Sequence, residues 1–220
     1  GGAFNSKLLA VDSVAILPEG MSRERFDWLR SIAGQVIATP GCESNVKEIF
    51  DKANELKRQP HMMVFNQFEE MGNHLWHYQV TGDAIATVFE HVKRPGDRMA
   101  GACFTSGSAG TIGCGDYLKE QYPAMRLAVG EALQCPTILN NGFGGHRIEG
   151  IGDKHIPWIH NVKNTDMVIA IDDEDSQRLL RLFSDPAGLR YLRMEAGVDE
   201  ETLSRISWLG ISGIANVLCC

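Results

Sequence analysis

Apolar positions along the chain follow two periods, and segments of one period alternate with segments of the other. "SVAILPEG" is a short apolar run leaving into a turn, which predicts a strand. "MSRERFDWLRSIAG" follows at helical spacing, with Ser22 as the expected N-cap, Met21 and Phe26 at staple spacing, and Gly34 as the expected stop. "QVIATPG" predicts a second strand. In "ESNVKEIFDKANELKRQP", Val46, Ile49, Phe50, Ala53 and Leu56 fall on one helical face, and Pro60 ends the helix. "HMMVFNQF" predicts a third strand, and residues 69–93 a helix broken at Gly82.

The second half repeats the alternation. "RMAGACF" predicts a strand, "GCGDYLKEQYP" a helix and "AMRLAVGEA" the next strand. Residues 134–165 are rich in loop-forming residues. "DMVIAID" then predicts a strand, and "DEDSQRLLRLF" a helix whose acidic start suits its N-terminus. "DPAGLRYLRMEAG" and "DEETLSRISWLG" predict further helices. Strands alternating with helices of this length imply an α/β fold with a largely parallel sheet. Ligands of such sheets bind beyond the carboxyl ends of the strands.

At one strand end stands "TSGSAGTIGCGDYLKE", residues 105–120. Small residues and hydroxyls run directly into a helix, whose first amides have no partners of their own and carry partial positive charge. That pattern suits an anion, although an ordinary tight turn between strand and helix would also explain it. A nucleoside triphosphate loop needs a lysine after the last glycine, and none follows Gly113 or Gly115. A dinucleotide loop matches only loosely, with Glu131 twenty positions after Thr111. A phosphate monoester, held by a short cup of amides and hydroxyls, fits "GSAGT" best.

Composition narrows the partners. The chain has 220 residues, 44% of them apolar, and a net charge of −7, which argues against a nucleic-acid or anionic-membrane surface. No apolar run is long enough to span a bilayer. The six cysteines form no C-x-x-C pair, so reduced thiols and a cytoplasmic location are expected. His74 and His77 are three apart with no third ligand suggested nearby, so no metal is expected.

Six segments, in order, resemble those of the cysteine synthase-like, fold-type II pyridoxal-phosphate enzymes. "GSAGTIGCGDYLKEQYP" is similar to the family's G-T-G-G-T-[IL]-x-G…YLKE…P, and "MSRERFDWLRSIAGQVIATPG" to MSxERxxxLxxxGAxVxxTPG. "FNQFEEMGNHLWHYQVTG" resembles NQFxNxxNxxxHxxTTGPE, and "VGEA" resembles V-x-x-E-P. "HRIEGIGDKHIP" resembles HxIQGIGAGFIP, and "LGISGIA" resembles xGISSGAA.

The resemblance implies a PLP-dependent lyase or transferase catalysing β-elimination or β-replacement on an amino-acid substrate, working as a homodimer. It implies that Gly107, Ser108, Ala109, Gly110 and Thr111 bind the cofactor phosphate. Ala109 replaces a glycine and is tolerable there if its φ is negative. Gly150 and Gly152 would let the backbone pass close to the cofactor, and Ser212 would meet the pyridine nitrogen; Gly213 replaces the family's second serine. Asp153, Lys154 and His155 stand where the family has small or apolar residues, and are expected to put charge at the mouth of the site and set substrate choice. Residues 1–66 would belong to the smaller N-terminal domain and 67–220 to the larger cofactor-binding domain.

Two family segments are not matched: the Schiff-base lysine motif N-P-[TS]-x-S-x-K-x-R and the substrate loop T-S-G-N-T-G. With Gly1 in place of an initiator methionine and an apolar end at "ISGIANVLCC", the expectation is a piece whose catalytic lysine lies upstream and whose last strand is missing. Lys7 and Lys154 stand outside the lysine's usual context. The alternatives are a non-catalytic subunit or binding module that keeps the phosphate cup, or the PLP subunit of an amino-keto acid thiolase.

Overall fold

In the first half of the chain, strand β1 (Val14–Pro18) pairs in parallel with β2 (Gln35–Thr39), Val14 opposite Gln35 and Pro18 opposite Thr39. A parallel pair cannot be closed by a tight turn and needs a crossover. Helix α2 (Arg23–Ile32) supplies it, α1 (Gly2–Leu8) precedes the pair, and α3 (Val46–Lys57) follows. This computed structural model describes residues 1–42, 45–148 and 150–220. The opening Glu43 and Ser44 of the second predicted helix, and Glu149 of the "HRIEGIGDKHIP" match, lie outside the described residues.

Ser22 takes the N-cap position of α2, as expected. Gly34 does not end that helix through a left-handed turn. Ala33 is already extended, and Gly34 instead lets the chain pass Ser13, whose carbonyl oxygen would lie 3.2 Å from a Cβ. Helix α3 buries Val46, Ala53 and Leu56 on the expected face. "HMMVFNQF" forms no strand. Met63 and Phe65 are exposed, and the run pairs with no described strand, so its β preference has no ladder to act on. The long helix does not break at Gly82 either. Helix α4 (Met71–Trp76) runs through a π-helical turn, His77–Gly82, into α5 (Asp83–Val92). Gly82 is there because the Tyr117 side chain lies against it, 2.8 Å from where a Cβ would stand.

The second sheet has strand order β3 (Gly101–Thr105), β4 (Arg126–Ala132), β5 (Met167–Ile171), all parallel. Helix α6 (Ile112–Gln121) links β3 to β4, and the short α7 (Thr137–Asn140) follows β4. Helices α8 (Asp173–Ser184), α9 (Pro186–Met194) and α10 (Glu200–Ile206) each begin behind an aspartate, Asp172, Asp185 or Asp199, whose carboxylate accepts an amide of the first turn. The last helix is α11 (Ile211–Cys219).

The middle strand, β4, is buried from Leu127 to Ala132, as a parallel strand covered on both faces should be. On one face, Ala86, Cys114, Leu118 and Met125 pack with Ala102 and Phe104. Burial there pushes the Cys114 thiol up to about 11. On the other, α11 contributes Ile211, Ala215 and Cys219 against Ala132, Ile171, Ile148 and Ile151. All six cysteines are free. No helix among the described residues is long and apolar enough to cross a membrane.

Asp166 ties the start of this sheet together. It accepts from the Leu127 amide at 2.7 Å and faces Lys119 Nζ at 2.6 Å and Arg126 Nη1 at 3.1 Å. The Lys119 hydrogen bond, then the Leu127 amide, hold its pKa down at about 2. A depressed folded-state pKa gives stability that is present above the unfolded value and lost as pH falls through the folded one. Asp166→Asn should therefore lower Tm by a few degrees at pH 7. The gap from wild type, followed by circular dichroism, should close as pH falls from about 4 towards about 2.

Candidate functional site

At the end of β3 the main-chain groups of Thr105 and Ser106 have partners. The Thr105 amide donates to Asn216 Oδ1 of α11 at 2.7 Å, and its carbonyl accepts from Thr111 Oγ1 at 3.2 Å. Ser106 donates its amide to the Gly130 carbonyl of β4 at 3.1 Å, and its hydroxyl accepts from the Ala109 amide at 3.1 Å. Among the described residues, the amides of Gly107, Ser108, Gly110 and Thr111 have no protein acceptor. They sit before a helix of ten residues, where the dipole adds positive charge. Such a donor set can hold an anion.

The loop carries backbone strain. Ala109 has φ +62°, so the negative φ at which alanine would cost little is not adopted. Six residues must turn a strand into a helix, and the Ser106 hydroxyl and the packing of the Ala109 methyl among Ile112, Val129 and Ile159 hold it there. A left-handed alanine costs about 1 kcal/mol. Gly110 is glycine for a different reason: a Cβ would collide with the Asn73 side-chain amide of α4.

A second loop touches the first, backbone to backbone. The Gly152 amide donates to the Ser106 carbonyl at 3.2 Å. A Cβ on Gly107 would stand 2.9 Å from the Gly150 carbonyl oxygen and 3.2 Å from Ile151 Cα. Gly150 and Gly152 hold φ of +93° and +86°, which only glycine adopts at little cost. The two loops border a small cavity lined by Gly107, Glu131, Thr137, Asp153, His155 and His160.

Most polar groups around the cavity are satisfied. Buried Glu131 accepts from the Ile138 and Leu139 amides, each at 2.9 Å. Thr137 donates to the Gly142 carbonyl at 3.1 Å and also meets the Asp153 carbonyl. His160 Nε2 meets Thr165 Oγ1 at 3.1 Å, and burial lowers its pKa, which favours the neutral ring. Asp153 is the exception. It is 3% exposed, and neither carboxylate oxygen has a hydrogen-bond partner among the described residues. His155 Nδ1 lies 3.8 Å away. Burial raises the Asp153 pKa to about 6; the His155 charge and the Lys154 and His155 amides only oppose that rise.

The three polar residues expected at the mouth thus separate. Asp153 and His155 line the cavity. Lys154 turns away, 3.5 Å from Glu48 Oε1 and 4.7 Å from the Phe143 ring centre, so it ties the loop to α3. Ser212 is exposed at the second position of α11; Gly210 holds the N-cap, and the Ser212 carbonyl accepts from Asn216 Nδ2 at 3.0 Å. His74 faces Asp116 at 3.4 Å while His77 meets Thr81 at 3.0 Å, so the pair does not converge. Asn216 and Asn73 were not singled out from the sequence. A polar residue inside the apolar run "ISGIANVL" was the available signal for the first.

No family model matches the chain. A probable cysteine synthase of Bacillus subtilis (strain 168) is 30% identical over 191 residues, covering 86% of this chain and 60% of that protein. Cysteine synthase B of Campylobacter jejuni is 31% identical over 170 residues, 76% of this chain and 54% of that one. The chain is a homologue of the cysteine synthases. It spans only 60% and 54% of the length of these two curated relatives. An O-ureido-L-serine synthase structure superimposes with a TM-score of 0.76 at 21% identity, over 99% of this chain and 61% of that one. An O-acetylserine dependent cystathionine beta-synthase from Helicobacter pylori gives 0.70 at 26% identity, over 99% and 63%. The parallel sheets and flanking helices are the fold-type II architecture that the cysteine synthase resemblance implied.

Two substitutions measure the strain in this cysteine synthase homologue. Ala109→Gly loses a buried methyl but relieves the left-handed φ, so urea unfolding should place it within about 0.5 kcal/mol of wild type. Ala215→Gly, equally buried but helical, should cost about 1–2 kcal/mol. Asp153 has a folded pKa raised from 3.8 to about 6, so its ionisation opposes folding and stability declines as pH rises through that window. Asp153→Asn should be more stable than wild type by about 2 kcal/mol at pH 7.5, and indistinguishable near pH 4.

Proposed function

We propose that this cysteine synthase homologue holds pyridoxal 5'-phosphate and catalyses β-replacement or β-elimination on an amino-acid substrate. One observation carries the reading: four amides just before α6, at Gly107, Ser108, Gly110 and Thr111, have no protein acceptor among the described residues. They fit a phosphate dianion, and the Ser108 hydroxyl adds a further donor. The Thr111 hydroxyl already donates to Thr105, so it contributes mainly its amide. Ala109, whose amide bonds to Ser106, sets the curvature of the cup instead of donating to it.

Bound there, the cofactor supplies an electron sink for the charge that develops when a proton leaves the α-carbon and a substituent leaves the β-carbon. The chain's own residues do the rest. Gly150 and Gly152 keep the second loop flush against Gly107, so the cavity stays open to the cup. Ser212 is assigned to the pyridine nitrogen, where a neutral hydroxyl disfavours a protonated ring. Buried Glu131 fixes α7, and Thr137 of α7 fixes the Asp153 main chain. The reading divides the chain near residue 66, with the β1–β2 sheet in a smaller domain and the β3–β4–β5 sheet in the cofactor domain. It includes a homodimer in the cytoplasm, which the free thiols suit.

Equilibrium dialysis with pyridoxal 5'-phosphate and with pyridoxal tests the cup. The phosphate form should bind at least about tenfold more tightly, and Gly107→Val should remove that advantage, because its side chain would drive into the Gly150 carbonyl. Equal binding of both compounds, unaffected by the substitution, would contradict the proposal. Pyruvate release from β-chloro-L-alanine reads the chemistry separately. Phosphate-dependent binding without turnover would favour a non-catalytic binding module.

A further inference from the structure

A buried carboxylate without a partner is costly, and folded proteins rarely keep one without a reason. Asp153 is such a group: both oxygens lack a hydrogen-bond partner among the described residues, in a cavity where most other polar side chains are engaged. Glu131 is used by two amides, Thr137 by two carbonyls and His160 by Thr165. The adjacent cations do not complete it either. Lys154 turns to Glu48, and the His155 ring, half exposed, stays at 3.8 Å. The raised pKa of Asp153 is what this isolation produces. Asp153 and Gly107, the first residue of the cup, line the same cavity.

We infer that Asp153 is a specificity-determining residue that accepts a hydrogen bond from an N–H or O–H at the far end of the substrate's β-substituent. The inference rests on the cofactor reading above, which brings an amino acid into this cavity. It narrows the substrate class to β-substituted amino acids ending in a donor, such as an amide, a ureido group or a hydroxyl. A substituent of the same shape ending in a methyl group would leave the carboxylate unpaired, and sites built around a polar pair discriminate strongly against such analogues.

O-carbamoyl-L-serine and O-acetyl-L-serine differ only by an amino group in place of a methyl. Their binding to the protein loaded with pyridoxal 5'-phosphate can be compared by calorimetry at pH 8, with kcat/KM as a second readout. Wild type should favour the carbamoyl compound by roughly tenfold or more. Asp153→Ala should bring the ratio close to one. Asp153→Asn, which keeps one carbonyl acceptor and the side-chain shape, should retain part of it. Uptake of pyridoxal 5'-phosphate should be the same in all three proteins. Normal uptake with no preference in wild type, or with the full preference surviving in Asp153→Ala, would overturn this inference alone. A wild-type protein that takes up no pyridoxal 5'-phosphate would overturn the cofactor reading and this inference with it.

Discussion

The Gly152 amide reaches the Ser106 carbonyl at 3.2 Å, and nearly everything in the site follows from that approach. It joins two segments 46 positions apart in the chain, and the hydrogen bond forms only if no side chain intervenes. Gly107 meets that demand on one side, and the left-handed glycines Gly150 and Gly152 meet it on the other. The strand end is held independently, by the Asn216 side chain on the Thr105 amide and by Gly130 on the Ser106 amide. The β3–α6 loop thereby spans a fixed frame, and its amides at Gly107, Ser108, Gly110 and Thr111 have no acceptor among the described residues.

Stability is given up at two points on this frame. Ala109 sits in a left-handed conformation that alanine resists, and Asp153 is buried with no hydrogen-bond partner among the described residues. Strain of this kind persists only where surrounding contacts over-determine it. Here the contacts are the packing of Ala109 under Val129 and the clamp of Thr137 on the Asp153 carbonyl. Both strained residues border the cup or the cavity, which is where departures from local preference concentrate in functional folds.

Much of the α/β order was legible because strands such as "AMRLAVGEA" and helices such as "DEDSQRLLRLF" have clear periods and caps. "HMMVFNQF" was not, because β preference is realised only by pairing, and pairing is a property of neighbours. Gly82 looked like a helix break, whereas its role is to admit Tyr117 from another helix. In the site, the glycines were legible as close-approach positions. The sign of the Ala109 φ was not, since it depends on the Ser106 hydroxyl and on packing from β4. Nor could spacing show that Asp153 and His155 face the cavity while Lys154, between them, faces Glu48.

The most direct test of the cup is amide chemical-shift mapping on the ¹⁵N-labelled protein titrated with pyridoxal 5'-phosphate. The amides of Gly107, Ser108, Gly110 and Thr111 should move most, with the Ala109 amide, held by the Ser106 hydroxyl, moving less. Shifts centred elsewhere, or a loop that does not respond at saturation, would contradict the assignment of this loop as the phosphate site.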